Sequence, residues 1–313
     1  MFSYHIEQFG QYERHILAQA ATGTRFSFVP EIGGILLDVT FGDLCVTEHY
    51  ETPEALTEMA WAKGILLYPY PNRMRDGRYV WEGKTYQFPL NNAVTGNSIH
   101  GVGKRAPMQL KSYMVTETFA SATIIFSHDG EHDYYPFAYD MEVTYMISST
   151  GHFDVEMQFR NKSKATIPVG LGWHPYFKIS ENIADTSMQT PVLTKVEVDE
   201  RLLPNGIKTP FEDFLTLQKI NETDVDNCFL IQKSDEKEAI ITLQSDSGTL
   251  KYWQQIGEQK FNFVQIFTLP SRTCIALEPM TCNVDAFNNH EGLVSLAPNE
   301  TLGGEFGFSW TKA

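Results

Sequence analysis

The chain has 313 residues and a formal net charge of -15. Its 42% hydrophobic content supplies a large core, and the 13% aromatic share favours strands over helices. The acidic surplus argues against nucleic acid as a partner, because such binders concentrate Lys and Arg.

The first residues, Met1-Phe2-Ser3-Tyr4-His5-Ile6-Glu7-Gln8, have no basic head and no apolar run of signal-peptide type. No stretch approaches the roughly 18 apolar residues of a membrane span, so no membrane partner is expected. Cys45, Cys228, Cys274 and Cys282 form no CxxC pair and no zinc-type spacing. Reduced thiols in a cytoplasmic protein are the expectation.

In chain order, Thr52-Pro53-Glu54-Ala55-Leu56 reads as a short helix with Thr52 as N-cap and Pro53 at its first position. Arg78-Tyr79-Val80-Trp81 and Thr85-Tyr86-Gln87-Phe88 flank Glu82-Gly83-Lys84, which predicts a hairpin. Thr123 to Phe126 is a short strand-type run. The clearest pattern lies around Ser149-Thr150-Gly151. Before it, Tyr139, Met141, Val143, Tyr145 and Ile147 share one face. After it, Phe153, Val155, Met157 and Phe159 alternate with polar residues. Period two on both arms predicts a hairpin with one buried face. Ala239 to Leu243 and Phe261 to Phe267 are further strand-type runs. Repeats, low-complexity tracts and linkers are absent, so the expectation is one all-β antiparallel domain over residues 1–313, a sandwich or barrel.

Four separated segments carry the groups that exchange protons or grip hydroxyls. Arg73 follows Pro69-Tyr70-Pro71-Asn72, and its guanidinium offers a fixed fork to a hydroxyl or carboxylate. A solvated surface charge is the competing reading, and it applies equally to the neighbouring Arg75, Arg78, Lys104 and Arg105. His100 precedes Gly101 in a small, polar stretch that reads as a loop entering a strand. His174 lies between Trp173 and Pro175. Trp173, Tyr176 and Phe177 are placed to wall the imidazole off from water; a core histidine bonded to a backbone carbonyl is the alternative. Glu278 stands between Ile275-Ala276-Leu277 and Pro279-Met280, where a carboxylate is costly to bury unpaired. Alternation that turns it to solvent is the plain alternative. Asp226 reads as a loop acid or an Asx turn. His49, His128, His132, His152 and His290 read as structural or solvated.

Together these segments resemble the aldose 1-epimerase (galactose mutarotase) family. The resemblance rests on Asn72-Arg73-Met74-Arg75-Asp76-Gly77-Arg78-Tyr79, then His100-Gly101, then His174-Pro175-Tyr176-Phe177, then Glu278 followed by Asp285-Ala286-Phe287-Asn288. The matches keep the family's order from about residue 65 onward. The resemblance implies a large antiparallel β-supersandwich. It implies Glu278 as general base, His174 as general acid and His100 as an aid at the ring oxygen or an adjacent hydroxyl. Arg73 and Asp226 would hold sugar hydroxyls, with Asn72 supporting Arg73. The chain has Ala106-Pro107-Met108-Gln109 where many relatives carry a tryptophan, and Glu278-Pro279-Met280 where others have Glu-Thr-Gln.

The implied reaction interconverts α and β anomers of a monosaccharide, which needs one base and one acid and neither metal nor cofactor. A protonated histidine beside an ionised glutamate is expected to lower the carboxyl pKa and raise the imidazole pKa. A hexose-6-phosphate mutarotase is an alternative, with the five basic residues as a phosphate site. Relatives of that type carry Gly-Gly-Ile-Pro where this chain has Gly64-Ile65-Leu66-Leu67-Tyr68-Pro69-Tyr70, which favours the free sugar. A non-catalytic sugar-binding protein would not need both His174 and Glu278. A metal site from His100, His174 and Glu278 lacks a helix-spaced ligand pair.

Overall fold

The computed structural model describes all 313 residues. Every paired strand is antiparallel, and three large sheets hold most of the chain. The predicted central hairpin forms from Ala138–Ser148 and His152–Asn161, with Tyr145 opposite Val155. Its apolar face is buried residue by residue, Tyr139 through Ile147 on one arm and Phe153 through Phe159 on the other. Period two sets this register, since a slip of one residue would turn every apolar side chain to solvent. Around it a nine-stranded sheet runs Gln109–Val115, Phe119–Asp129, the hairpin, Thr301–Lys312, Gly248–Gln255, Glu238–Ser245, Ser187–Gln189 and Gln218–Lys219.

An eight-stranded sheet carries Pro204–Phe211, Leu193–Val198, Asp226–Ile231, Phe263–Thr268, Ile275–Met280, Gly172–Trp173 and Leu66–Leu67, with Tyr176–Phe177 also paired to Ile275–Met280. A five-stranded sheet is built from Ser3–Phe9 to Leu44–Cys45. The main apolar cluster joins 62 buried residues, from Phe2 to Trp310. Val264, Ile266, Ile275 and Leu277 of the eight-stranded sheet belong to it. Directly opposed residues of an antiparallel pair share a face and successive ones alternate. The other face of the same strands therefore presents Gln265 and Glu278 side by side, and Phe267 opposite both Asp226 and Ala276.

The local expectations meet two adjustments. The short helix spans Pro53–Glu58, with Thr52 Oγ1 accepting the Ala55 N–H at 3.2 Å. The Arg78–Trp81 hairpin returns as Lys84–Gln87, one residue earlier than its polar spacer suggested. The Phe261 to Phe267 run begins its strand only at Phe263. Asn262 is taken by a turn instead, its side chain bonding both the N–H and the carbonyl of Gly257.

Gly101 shows how tightly the segment after Ser98–Ile99 is folded. It holds φ +60°, and a Cβ there would lie 2.1 Å from the Tyr68 carbonyl oxygen. That oxygen accepts the Val102 N–H at 2.9 Å, so it cannot easily retreat. Gly83 also has positive φ, but nothing lies within 4 Å of its Cβ position. Gly83→Ala should cost only the left-handed penalty of ~1–2 kcal/mol. Gly101→Ala should lose clearly more in urea denaturation; equal losses would mean that the Tyr68 contact is soft.

Candidate active site

Asn72, Arg73, His100, His174, Asp226 and Glu278, drawn from five distant stretches of sequence, all line one cleft of about 450 Å³. The volume falls within the roughly 300–1,000 Å³ of small-molecule sites. Two larger hollows, of about 630 and 510 Å³, have no histidine and only exposed acidic residues on their walls. The chemistry is concentrated in the smaller one.

Glu278 and Gln265 rise from opposed positions on adjacent strands, both buried. Alternation does turn Glu278 away from the core, but into the cleft and not to solvent. His174 is pinned through its backbone: its N–H donates to Ile65 O at 3.0 Å, and its carbonyl accepts the Gly64 N–H at 2.8 Å. The His174 ring lies 5.0 Å from Tyr176 and nearly parallel to it. His174 Nε2 sits 3.4 Å from Glu278 Oε1. His100 meets the His174 ring edge-on at 5.2 Å between centroids.

The expected aromatic wall is only partly right. Tyr176 lines the cleft, whereas Trp173 stacks on Phe306 and Phe177 packs on Tyr252 and Phe308 in the core. Strand alternation sends these neighbours to the opposite face. The other wall comes from Trp61, Phe267, Met59 and Ala62. Trp61 is about half exposed and stacks on Phe267 at 6.0 Å, leaving an aromatic face at the cleft mouth. It also holds φ 64°, as Met59 and Ala62 hold 53° and 55°. Backbone strain of this kind is invisible in composition or periodicity.

Arg73 is held by a frame that the sequence only partly displayed. Arg73 pairs with Ile99 in a two-residue ladder, and both flanking residues, Asn72 and His100, are left-handed at φ 55° and 67°. The His100 N–H closes this ladder on Asn72 O at 2.8 Å. Asn72 Oδ1 accepts from Arg73 N at 2.8 Å and Nη1 at 3.1 Å, and Asn72 Nδ2 donates to Gln265 Oε1 at 3.2 Å. Gln265 Nε2 in turn donates to Asp226 Oδ1 at 2.8 Å. Asp226 opens the strand Asp226–Ile231 at the cleft mouth, which corrects its reading as a loop acid. Gln265 was not singled out from sequence, although a Gln among apolar strand residues carries the same signal as Glu278. Asp285 supports the frame from behind: its N–H donates to Arg73 O, and its Oδ1 accepts the Arg75 N–H, both at 2.8 Å.

The five basic residues do not form one site. Arg75 pairs with Asp199 and Asp285, Arg78 is exposed, and Arg105 donates to the Thr57 carbonyl. Arg73 and Lys104 alone reach the cleft. Sequence proximity places charges on one segment, but side-chain direction separates them.

Electrostatics reverse the expected pKa directions. Burial pushes His174 down to about 3, with Arg73 adding to the effect. Burial holds His100 well below the usual histidine value, with His174, Arg73 and Lys104 adding to it. Burial also raises Glu278 well above the usual carboxyl range, and Asp226 reinforces it against Arg73. Desolvation outweighs the mutual attraction of the pair. Glu278 and His174 therefore favour the neutral tautomer, in which the proton between them rests on the carboxyl. The number of protons is the same as in the charged tautomer; only their position differs.

Four buried polar atoms in the cleft have no partner in the protein: Arg73 Nε, His100 Nδ1, His174 Nδ1 and Glu278 Oε2. Unpaired buried polar groups cost free energy, and they gather where a polar ligand completes them. Donors and acceptors mixed over apolar walls suit a small, polyhydroxylated molecule.

The family model described as aldose 1-epimerase matches residues 17–309. The chain belongs to the aldose 1-epimerase family. This is an isomerase family that acts on sugars, and the antiparallel fold agrees with it. Among relatives, an uncharacterised Escherichia coli K12 protein, YihR, is 26% identical over 281 residues, covering 88% of this chain and 87% of that protein. Galactose mutarotase of Rattus norvegicus is 29% identical, but over 48% of this chain and 43% of its own length. A galactose mutarotase-like protein of Clostridium acetobutylicum superposes with a TM-score of 0.87 at 18% identity, over 100% of this chain and 99% of that one. A galactose 1-epimerase of Lactobacillus acidophilus gives 0.84 at 14% identity, with the same coverage.

The burial of Glu278 has a consequence for stability. A carboxyl whose folded pKa is raised contributes stability that is full below its unfolded value and lost as pH rises through the folded one. His174, depressed, behaves oppositely, but is common to wild type and a Glu278→Gln variant. Wild type should therefore lose ground to Glu278→Gln as pH climbs above about 4, by up to ~1.4 kcal/mol per pH unit. Urea denaturation across that range checks this; parallel stability curves would mean that Glu278 ionises freely in the folded protein.

Proposed function

We propose that the protein interconverts the α and β anomers of a free hexose, with Glu278 and His174 transferring protons at the anomeric centre. The observation that carries this reading is the 3.4 Å contact between His174 Nε2 and Glu278 Oε1 inside the buried cleft. A hemiacetal carbon bears two oxygens, one in the hydroxyl and one in the ring. A base and an acid serving both must stand side by side. Glycosidase carboxyl pairs, which attack and protonate from opposite sides of a ring, lie about 5 Å apart or more.

The sequence of transfers balances. Glu278 as carboxylate takes the proton of the C1 hydroxyl, while protonated His174 gives its own to the ring oxygen. The C1 to ring-oxygen bond breaks as the C1 carbonyl forms, leaving an open aldehyde with neutral Glu278 and neutral His174. Rotation about the C1–C2 bond presents the other face, and the reverse transfers close the ring as the other anomer. The pair holds one proton throughout and returns to its starting state. His100 assists at the ring oxygen or an adjacent hydroxyl. Arg73 and Asp226 hold sugar hydroxyls, with Asn72 fixing Arg73. The half-exposed face of Trp61 stacks on the apolar face of the sugar. Four cysteines without a disulfide support a reducing, cytoplasmic setting.

One observation favours a second reading, in which the sugar carries an anion at C6. Lys104 lines the cleft, half-buried and without a carboxylate partner. The dispersal of Arg75, Arg78 and Arg105 leaves it alone, short of the clustered contacts that phosphate usually draws. The free sugar therefore remains the first reading.

Polarimetry of freshly dissolved α-glucose, α-galactose and their 6-phosphates tests both. Glu278→Gln and His174→Asn should each lower kcat by about 10²–10⁴-fold while changing KM far less. Wild-type rates in Glu278→Gln would remove that carboxylate from the chemistry. Wild type should prefer the free sugar. A higher kcat/KM for the phosphosugar, lost by about tenfold or more in Lys104→Ala, would transfer the assignment to the anionic substrate and leave the proton transfers intact.

A further inference from the structure

We infer that His128, Glu131 and His132 form a zinc-type metal site on the turn between Phe119–Asp129 and Ala138–Ser148. Their donor atoms all lie within 4.8 Å of one another. None of the three lines the sugar cleft.

The turn is built to hold them together. His128 sits one residue before the end of its strand, opposite Tyr139, and is buried. The chain then turns at Gly130, φ +80°, where a Cβ would approach the backbone of Pro136 and Ala138 at 3.2 Å. The returning segment is closed by a His132–Tyr135 bridge, with Tyr135 N donating to His132 O at 2.9 Å. This folds His132 back over His128, and their rings lie 4.9 Å apart and 29° from parallel. Tyr139 at 5.0 Å packs on His128, and Tyr134 at 4.7 Å packs on His132. Glu131, exposed between them, is free to swing in.

The donor set has the chemistry of a metal site. Two imidazoles and a carboxylate suit zinc and its neighbours, whereas calcium and magnesium require oxygen shells. Ligand atoms around tetrahedral zinc stand about 3.4 Å apart for bonds of roughly 2.1 Å. Closing from 4.8 Å is a small movement for an exposed Glu131 and a half-buried His132. Water would complete the fourth position.

Such a metal would act as a clamp on the fold. The Tyr134 carbonyl accepts the Tyr79 hydroxyl at 2.9 Å, and the Tyr134 ring lies 5.0 Å from Phe88. The turn thus backs the Arg78–Trp81 and Lys84–Gln87 hairpin, which continues the chain from Arg73.

The test uses the full chain, freed of metal by chelation and titrated with zinc chloride by calorimetry, with cobalt(II) as the spectroscopic probe. Wild type should bind one equivalent, show the strong visible absorption of tetrahedral cobalt(II), and gain in Tm. Glu131→Gln combined with His132→Ala alters one exposed and one half-buried side chain outside the main apolar core and should fold normally. It should lose affinity by more than the roughly 10–100-fold typical of an outer partner, together with the Tm gain and the cobalt band. Metal-free wild type and metal-free variant should show equal anomerisation rates. His128→Asn, tested separately, should also abolish the cobalt band. Zinc bound equally well by the double variant would place the metal on other histidines and overturn the inference, as would no heat and no Tm shift in wild type with zinc in large excess.

Discussion

The structure depends on keeping two ionisable side chains in contact away from water. Glu278 and His174 are both nearly inaccessible, and each would be costly to bury as an isolated charge. The protein meets this by placing the two groups in contact at 3.4 Å and by fixing both backbones with hydrogen bonds. Glu278 belongs to a strand with ladder partners on both sides. His174 is locked between Gly64 and Ile65, and the indole of Trp173 is bonded to the Gly64 carbonyl as well.

Around this pair, strain is concentrated at the residues that aim the cationic group. Asn72 and His100 face each other across a two-residue ladder in left-handed conformations, and Asp285, also left-handed, holds Arg73 from behind. Non-glycine residues in that region cost of order 1–3 kcal/mol each and persist only where the surroundings over-determine them. Here the surroundings are specific hydrogen bonds, running from Arg73 through Asn72 and Gln265 to Asp226. Because Gln265 is the strand partner of Glu278, this polar chain and the buried pair share one register. A slip there would misplace both.

Much of this was legible in the sequence where the physics is local. The central hairpin was readable because one face is buried, so burial imposes period two. His174 and Glu278 were readable because a titratable group among apolar neighbours is expensive without a purpose. The missed features are non-local. Gln265 matters only because of its pairing across to Glu278, and spacing along the chain does not reveal a register. Trp61 reaches the cleft through three left-handed residues that no propensity suggests. The basic residues from Arg73 to Arg105 looked like one cluster, but Asp199, Asp285 and the Thr57 carbonyl draw them apart. The pKa directions were misjudged because attraction between neighbours was visible in the sequence, whereas the depth of burial was not.

That last correction bears on how the proposed chemistry would run. Because burial favours the neutral tautomer, closed sugar would react with the less stable, charged one. The charged pair is then destabilised before reaction, and ring opening discharges it: the carboxylate gains its proton and the imidazolium loses one. Sugar hydroxyls and the Arg73 guanidinium would support the carboxylate once water is displaced, while Arg73 opposes the imidazolium. The open aldehyde meets a pair already in its preferred state. Forming the charged tautomer is then part of the barrier to opening, and contacts that support the carboxylate would lower it. In the proposed chemistry the 3.4 Å contact would let one proton serve both groups, and burial would set which tautomer the open aldehyde meets.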